Sequence, residues 1–376
     1  MLGSDVLNPQ PNAGSVVGQT KQNAPAGGLG PLEYWMNRLL HYRPTLPVYL
    51  QDLLNTVVAH IPRVIAQVMI ESPNPQPFTI SLEGTVMFAD IDGFTPLAER
   101  FSRAASEEGA EELTDPVNRF MEILIPITAR YGGDLQKFGG DAGMLLFQGE
   151  DHALQAVAAS LEVQEAMQSQ MREVETSLGC FPLRIAIGLG TGPMIGLGLG
   201  DQEGREWLLI GPPLASMGRA QSAAPPEGIV IDGNTLAACK NDIEYTTIGD
   251  GLYQVLTLSR PPTPYDKTPT LDQPKVEAAL RLQWMLSRLD VLAPYLVPGL
   301  LERLVTAPDL ERLSVWSDLR QVTVMMLSLP RDIDLMPFWG NTERLLEEVQ
   351  ALNTPFIRMR DTVLRYDGTV NKIGIS

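Results

Sequence analysis

Three aspartates occupy positions at which acidic side chains can bind a cation. Asp90 and Asp92 lie in TVMFADIDGFTPLAERF, where an apolar strand pattern gives way to a turn and then to a helical pattern. Asp141 lies in GGDA, between the apolar runs DLQKF and GMLLFQ, which together predict a β-hairpin. Carboxylate oxygens suit Mg²⁺, which is usually held by one or two carboxylates plus substrate phosphates. Acidic residues that flank turns are also common as solvated surface groups, so both interpretations stay open at this point.

The elements that must position these carboxylates can be predicted from hydrophobic patterning. Residues 84–91 predict a mostly buried strand, and TDPVNRFMEILIPITARYGG predicts a helix with Asp115 as its N-cap and Pro116 at its first position. Apolar residues at helical spacing predict a second helix over 151–178, which Gly179 ends.

A last strand is predicted in FPLRIAIGLGTG, and the glycines that follow it are expected to serve a hairpin. The order strand, helix, hairpin, helix, strand is that of the split βαββαβ arrangement, an α+β fold with helices on one face of a sheet. In such a sheet the first strand and the hairpin are near each other. We therefore expect Asp90 to lie close to Asp141.

Composition excludes several classes of protein. The chain has 376 residues, 44% of them hydrophobic, and 45 acidic against 28 basic residues give a net charge of −17. That charge repels a phosphate backbone and argues against nonspecific nucleic-acid binding. The only cysteines, Cys180 and Cys239, are far apart and have no metal-ligand spacing, so neither a disulfide framework nor a zinc site is expected.

No membrane or secretory segment is expected. The N-terminus has neither a basic region nor an apolar core, and the most apolar stretch, residues 48–70, is interrupted by Asp52, His60, Pro62 and Arg63. An amphipathic helix and a cytoplasmic location are predicted. The run GLGTGPMIGLGLG fits neither the dinucleotide fingerprint nor the P-loop spacing.

Three blocks resemble the motifs of class III nucleotidyl cyclases. They are FADIDGFTPLAERF, GGDLQKFGGDAGMLLF and LLIGPPLASMGRAQSAAPPEGIVI, and they occur in the order of that family. The resemblance covers roughly residues 55–255 and is strongest to the bicarbonate-responsive soluble adenylyl cyclases with tandem cyclase domains. FGGDAG is also similar to a diguanylate cyclase motif, but Ala142 stands where those enzymes have a further acidic residue.

The resemblance implies a metal site. Asp90 and Asp141 would be the metal-binding aspartates, the Ile91 carbonyl would be an additional ligand, and Asp92 would be a bystander. Two ions, Mg²⁺ or Mn²⁺, would then act on the ribose 3′-hydroxyl and on the triphosphate.

The same resemblance implies where the substrate would be held. Backbone amides around Gly93, Phe94 and Thr95 would hold phosphate oxygens at a helix N-terminus, and Lys137 would add a cation beside the site. Family members need a second, facing domain that supplies purine selectors, an asparagine and an arginine. At those positions this domain has Leu208, Ala215 and Arg219, so only the arginine matches.

A second, degenerate copy is predicted near the C-terminus. ARYGGDLQKFGG at 129–140 aligns with LRYDGTVNKIGI at 364–375, and TVMFADI aligns with TVMMLSL at 323–329. Ser328 takes the position of Asp90, and Lys372 stands where the family has its adenine-reading lysine. The sequence stops at Ser376, so we expect this copy to be incomplete and the chain to be the front of a longer protein, inactive alone.

The predicted organisation has five parts. They are a disordered lead (1–30), a helical approach segment (31–80), a first cyclase domain (81–262), a linker that is Pro-rich and then helical from about Lys275 (263–320), and the start of the second domain (321–376).

Two function classes stay open. In the first, the chain is the metal-donating domain of an adenylate cyclase that makes cyclic AMP and pyrophosphate from ATP, with the second domain as its partner in cis. In the second, it is a pseudocyclase that binds nucleotide or a small anion and regulates an attached effector. Lys137 and Arg219 are predicted to form an anion site, with bicarbonate as the candidate, unless both pair with acidic neighbours.

Overall fold

The computed structural model describes residues 46–73, 77–104, 108–265, 278–297, 299–306, 323–326 and 334–370. The chain divides into Met1–Pro47 and Val48–Ser376, and nearly everything described belongs to the second unit. The predicted disordered lead, Ser328 and Lys372 lie outside the described residues. A search of the described helices found none with the length and apolar character needed to cross a membrane.

Helices and strands alternate through the first two thirds of the chain. The helices are α1 (Leu46–Ala59), α2 (Arg63–Glu71), α3 (Phe94–Ala104), α4 (Glu108–Arg130), α5 (His152–Gln170), α6 (Pro212–Ala223), α7 (Gly233–Cys239), α8 (Ala278–Leu292), α9 (Leu300–Thr306) and α10 (Thr342–Arg365). The strands are β1 (Phe78–Asp92), β2 (Asp134–Phe138), β3 (Ala142–Phe147), β4 (Val174–Thr176), β5 (Gly179–Phe181), β6 (Arg184–Gly200), β7 (Arg205–Ile210), β8 (Ile229–Asp232), β9 (Ile243–Gly249) and β10 (Leu252–Leu258).

The main sheet confirms the predicted α+β fold. Its order among the described strands is β2-β3-β1-β6-β8-β10-β9, with β7 paired to β6. The first four of these strands, with α4 and α5 as crossovers, form the split βαββαβ arrangement. The predicted hairpin is also confirmed, because β2 and β3 pair antiparallel around the turn that holds Asp141.

The core lies between the sheet and the helices that cross it. Met87 on β1 and Leu189 on β6 are fully buried there, as are Phe120 and Leu124 on α4 and Val157 on α5. Burying an aliphatic or aromatic side chain of this size contributes about 1.5–3 kcal/mol each. The strand that ends at Asp92 and the hairpin that holds Asp141 are therefore anchored on the same core.

Helix α2 anchors the hairpin from outside the predicted domain. The Asp134 carboxylate at the start of β2 accepts hydrogen bonds from the backbone N–H groups of Arg63 at 2.9 Å and Val64 at 3.3 Å. These are orphan donors of the first turn of α2. The Arg63 guanidinium also donates to the carbonyls of Gly132 and Gly133, both at 2.7 Å. The helical approach segment thus helps to fix the hairpin.

Helix α4 differs from the prediction. It begins at Glu108, seven residues before the expected N-cap Asp115, and Pro116 lies inside it. A proline inside a helix removes one backbone hydrogen bond. The residues at 108–114 include alanine and glutamate, which have high helix propensity, and the helix extends back over them.

The predicted helix over 151–178 was too long. Helix α5 ends at Gln170, and residues up to Phe181 form the small hairpin β4–β5, in which Gly179 has φ of 119°. Met171 and Val174 are buried in the same core although neither lies in the helix. Apolar spacing could not distinguish the two arrangements, because both bury these side chains.

The glycine-rich run is one long strand rather than a hairpin by itself. Strand β6 is 17 residues long and includes the whole run. The chain turns only after Gly200, and β7 then pairs with β6. A Cβ atom at Gly196 would lie 2.1 Å from the Trp207 ring. The prediction was therefore correct only in that the run forms one arm of a hairpin.

A hydrogen-bond chain crosses the buried face of the sheet. Thr235 Oγ1 donates to Asp232 Oδ1 at 2.7 Å, and Thr235, Thr191 and Thr85 are linked through their hydroxyls at 2.7 Å each. The chain ends at His152 Nδ1, 2.8 Å from Thr85 Oγ1. Because each hydroxyl has one proton, and that of Thr235 goes to Asp232, every other proton must point the same way. His152 is therefore the donor and carries its proton on Nδ1.

The second segment, residues 321–376, packs on the first domain through α10. Leu345, Val349 and Phe356 of α10 are buried against Ile195 and Leu208, which belong to the β6–β7 arm, the hairpin formed by strands β6 and β7. Residues 323–326, which align with part of β1, form neither helix nor strand. The predicted helical linker agrees with α8, which packs against α2; the Arg288 guanidinium there donates to the Ile70 carbonyl at 2.9 Å.

Candidate active site

Asp90 and Asp141 come together through the backbone. Asp90 on β1 pairs in register with Ala142 on β3, the residue directly after Asp141. The backbone N–H of Ile91 donates to the Asp141 carbonyl at 3.1 Å. The end of the first strand and the turn of the hairpin thus present two carboxylates at one edge of the core, as strand order predicted.

The electrostatics of this edge favour a cation. Asp90 is half-buried, and burial is the largest cause of a pKa raised above its ordinary value. The negative charges of Asp141 and then Asp92 raise the pKa further, while a backbone hydrogen bond at Ile91 opposes the shift. A positive ion at this edge would relieve the repulsion that raises the pKa of Asp90.

The donor set fits a hard divalent ion with open coordination positions. In the described part of the chain no group of three or more His, Cys, Asp or Glu side chains is arranged to hold a metal. Asp90, Asp141 and the Ile91 carbonyl offer oxygen ligands only. Mg²⁺ prefers oxygen ligands and usually keeps waters and substrate phosphates in its shell, so a set of two carboxylates and a carbonyl is compatible with it.

The turn after β1 leads directly into a helix N-terminus. Gly93 has φ of 93°, and a Cβ atom there would lie 2.7 Å from the Pro182 carbonyl oxygen. Helix α3 begins at Phe94, so the N–H groups of Phe94 and Thr95 belong to its first turn and have no partner within the helix. Such groups, together with the helix dipole, suit an anionic ligand.

Gln221 contacts Asp90, which the sequence did not indicate. Its Nε2 donates to Asp90 Oδ2 at 3.3 Å from helix α6. The residue lies within the third motif block, two positions after Arg219. No pattern in the sequence could have identified it, because the face of α6 that meets Asp90 is set by the packing of the helix against the sheet at Gly188.

Lys137 lies near a carboxylate on another strand. Glu206 on β7 has a pKa raised by burial, and the positive charge of Lys137 on β2 partly offsets that shift. Lys137 is half-buried and follows Gln136, whose side-chain oxygen accepts a hydrogen bond from Trp207 Nε1 at 2.9 Å. The surroundings of Lys137 thus include an acidic neighbour on the β6–β7 arm.

Arg219 lines a separate cavity of about 530 Å³. Its guanidinium donates to Ser216 Oγ at 3.2 Å. The described residues that line this cavity are Ala215, Gly218, Arg219, Ser222, Ala223, Asp250 and Leu252. Lys137 is not among them, and the charged residue that shares the cavity with the arginine is Asp250.

Leu208 does not face a ligand cavity. It is 5% exposed and packs in the cluster that α10 forms with the β6–β7 arm. Ala215, by contrast, is exposed at the Arg219 cavity. The first position is filled by packing within this chain, and the second offers no polar side chain.

Comparison with known proteins shows what residues 81–255 are similar to. The family described as Adenylate and Guanylate cyclase catalytic domain matches residues 81–255. Adenylate cyclase type 10 of Homo sapiens is 26% identical over 84% of this chain and 20% of its own length, and that of Rattus norvegicus is 29% identical over 56% and 13%. The chain thus spans about a fifth or less of these relatives.

A solved structure, the adenylyl cyclase CyaB from P. aeruginosa, is 29% identical, covers 47% of this chain and 95% of its own, and has a TM-score of 0.42. The matched region begins within β1, the strand that carries Asp90, and ends in β10. Residues 81–255 are therefore similar to the family described as Adenylate and Guanylate cyclase catalytic domain.

Proposed function

We propose that the chain supplies the metal-binding half of an adenylate cyclase, which converts ATP to cyclic AMP and pyrophosphate. The observation that carries this proposal is the convergence of Asp90 and Asp141 at the edge of β1 and β3. These carboxylates, with the Ile91 carbonyl, would hold two divalent ions, Mg²⁺ or Mn²⁺.

When bound, the ions supply Lewis acidity that lowers the pKa of the ribose 3′-hydroxyl and charge that neutralises the triphosphate. The residues of this chain bind and orient around them. The first-turn N–H groups of Phe94 and Thr95 are suited to hold phosphate oxygens after the turn at Gly93. Asp92 is exposed and its role is electrostatic only, through its effect on Asp90.

We further propose that the substrate base is adenine and that the partner domain belongs to the same chain. Relatives named adenylate cyclase support the first. Under this proposal Lys372, outside the described residues, contacts adenine, and the second cyclase-like segment completes the site. The docking of α10 on the β6–β7 arm supports a partner in cis.

The test uses the natural protein that contains this chain. Cyclic AMP and cyclic GMP formation are measured from ATP and GTP with Mg²⁺ and with Mn²⁺, in wild type, Asp90→Asn and Asp141→Asn. We expect cyclic AMP as the main product and a loss of at least about 10²-fold in either variant. Activity of Asp90→Asn within a few-fold of wild type would contradict the assignment.

A regulatory binding module is the second candidate function. It is favoured by Leu208, which is buried beneath α10, and by Ala215, because neither can select a purine or stabilise a transition state. In this case the natural protein binds a fluorescent ATP analogue with Mg²⁺ but shows no turnover above that of Asp90→Asn.

A small anion such as bicarbonate is proposed as a ligand of Arg219. The cavity of about 530 Å³ can admit it, and a guanidinium can bind a planar anion through two hydrogen bonds. Asp250 also lines this cavity and carries a charge opposite to that of the arginine. Activity is compared in bicarbonate and in chloride at fixed pH and ionic strength; stimulation that survives Arg219→Ala would exclude this site.

A further inference from the structure

Gln221 is the side chain on α6 that contacts Asp90, with Nε2 3.3 Å from Oδ2. We propose that Gln221 is a positioning residue, which holds the Asp90 carboxylate in the orientation needed to bind a divalent cation. This inference rests on the proposed metal-binding role of Asp90. It concerns a residue to which neither the motif resemblance nor the metal-ligand set assigns a role.

The approach of α6 to the sheet is built to make this contact. Gly188 on β6 has no side chain where the helix passes, and a Cβ atom there would lie 2.3 Å from the backbone nitrogen of Gln221 and 2.4 Å from the carbonyl oxygen of Met217. Backbone atoms cannot move aside cheaply. Asp90 pairs with Ala186, two residues before this glycine, so α6 crosses the face of the sheet that carries the Asp90 side chain.

The face of α6 that contacts Asp90 is not the face of the Arg219 cavity. Ala215, Arg219 and Ser222 line the cavity, and their spacing places them on one side of the helix. Gln221 follows Arg219 by two residues and therefore projects about 200° away. Its contact with Asp90 is independent of any ligand at Arg219.

The chemistry of an amide suits this position. Asp90 is surrounded by the negative charges of Asp141 and Asp92. A neutral N–H donor fixes the carboxylate without adding a charge, whereas a lysine or arginine would compete with the metal ion and a glutamate would add repulsion. Hydrogen bonds to a metal-binding carboxylate orient it, and their loss typically costs about 10–100-fold in metal affinity or activity.

The experiment measures Mn²⁺ binding to the natural protein without nucleotide, by the loss of the free-ion signal in electron paramagnetic resonance. In Gln221→Met, which keeps the side-chain length but removes the donor, we expect binding about 10-fold weaker than in wild type. Gln67→Met is the matched control, because Gln67 also donates to a carboxylate, Glu71 at 2.9 Å, but on the exposed face of α2. It should bind Mn²⁺ as wild type does.

Two further variants separate the possible outcomes. Asp90→Asn should abolish the binding; unchanged binding in that variant would contradict the metal site itself. If Asp90→Asn loses binding and Gln221→Met stays within twofold of wild type, the metal site stands and the positioning role is overturned.

Thermal unfolding of Gln221→Leu, measured without and with Mn²⁺, gives a second readout. The rise in Tm that Mn²⁺ produces should be smaller than in wild type, because the variant lacks the N–H donor that orients Asp90 and therefore binds the ion more weakly. A side chain with a merely structural role would lower both Tm values equally. That result would also overturn the proposal, and it is available even if Gln221→Met folds poorly.

Discussion

At the scale of single residues, the candidate site holds negative charges close together, whereas a purely structural surface would separate them. Asp90 is half-buried beside Asp141 and Asp92, and its raised pKa records the cost of ionising it there. Its position could be predicted, because strand order alone brings the end of β1 to the β2–β3 turn. Gln221 could not, since the face of α6 that meets Asp90 depends on the close contact at Gly188.

Asp90→Asn should make the metal-free protein more stable at pH 7 while removing activity. A folded-state pKa above the ordinary value of about 3.9 means that stability is fully present below that value and is lost as pH rises through the folded-state pKa. Asparagine does not ionise and escapes this loss. Calorimetry should therefore show a higher Tm for the variant at pH 7 and a difference that disappears near pH 4.

Added Mg²⁺ provides the control for this prediction. The ion should raise the Tm of wild type and leave that of Asp90→Asn almost unchanged. A variant that is less stable than wild type at pH 7 without metal would show that the Asp90 carboxylate is stabilised by its surroundings rather than strained by them.

At the scale of elements, patterning identified most strands and helices but not all their ends. The β2–β3 hairpin and the first crossover helix could be predicted because their turns are marked by glycines and their faces by apolar spacing. The end of α5 could not, since the apolar residues that follow it are buried equally well in the β4–β5 hairpin. The single span of β6 depends on contacts with Trp207 and α6 that no local pattern contains.

Two glycine substitutions should have opposite effects on stability. In Gly188→Ala the new methyl group would meet the backbone of α6 at 2.3 Å, so the helix must shift and the protein should lose about 1–3 kcal/mol. Gly218 lies inside α6, and a methyl group there would meet nothing within 4 Å outside its own turn of helix, so alanine should stabilise by up to about 1 kcal/mol. Urea unfolding measures both; equal effects would mean that α6 does not approach the sheet this closely.

His152 should make the stability of the domain depend on pH. Burial lowers its pKa, while the negative charges of Glu83 and Asp151 oppose the shift. With a folded-state pKa below the ordinary value of about 6.5, stability is complete above that value and is lost as pH falls through the folded-state pKa. The Nδ1 proton already serves Thr85, so the added proton must go to Nε2.

His152→Asn tests this, because the asparagine amide can still donate to Thr85 but does not titrate. Unfolding free energies measured between pH 7.5 and 5 should fall less steeply in this variant than in wild type. His60→Asn, which removes an exposed imidazole, is the control. Identical slopes in wild type and His152→Asn would contradict the prediction.

At the scale of the whole molecule, the described part of the second segment is bound to the first domain. Asn353 of α10, 8% exposed, accepts from the Gly200 N–H at 2.6 Å and donates to the Gly200 carbonyl at 3.3 Å. The Arg360 guanidinium, also buried, donates to both oxygens of Asp201 at 2.7 and 2.9 Å. The same surface buries Leu208, so this side chain helps to hold two parts of one chain together.

This docking was not predictable from the repeat alone, because the aligned segments share Arg, Tyr, Gly and Lys residues but not the residues that make the contact. Asn353 and Arg360 lie on the α10 face that carries the buried apolar residues, and they bond to the tip of the β6–β7 arm. Polar groups with fixed partners at the rim of an apolar patch select one register of the helix over others. The arrangement of the two segments is therefore encoded in the arm and the helix together.

Arg360→Met should loosen α10 from the arm. The substitution removes the bidentate pair with Asp201 and a hydrogen bond to the Gly204 carbonyl at 2.8 Å. Because the Asp201 side chain is 39% exposed, water can replace part of what is lost, and we expect a cost of about 2 kcal/mol rather than the larger value for a fully buried pair.

Arg344→Met is the control, since Arg344 pairs with Glu347 and Glu348 at the surface, where such pairs contribute about 0–1 kcal/mol. Hydrogen exchange over residues 342–365 should accelerate about 30-fold in Arg360→Met, the rate equivalent of 2 kcal/mol, and only slightly in Arg344→Met. Equal protection in the two variants would show that the apolar face alone holds the helix in place.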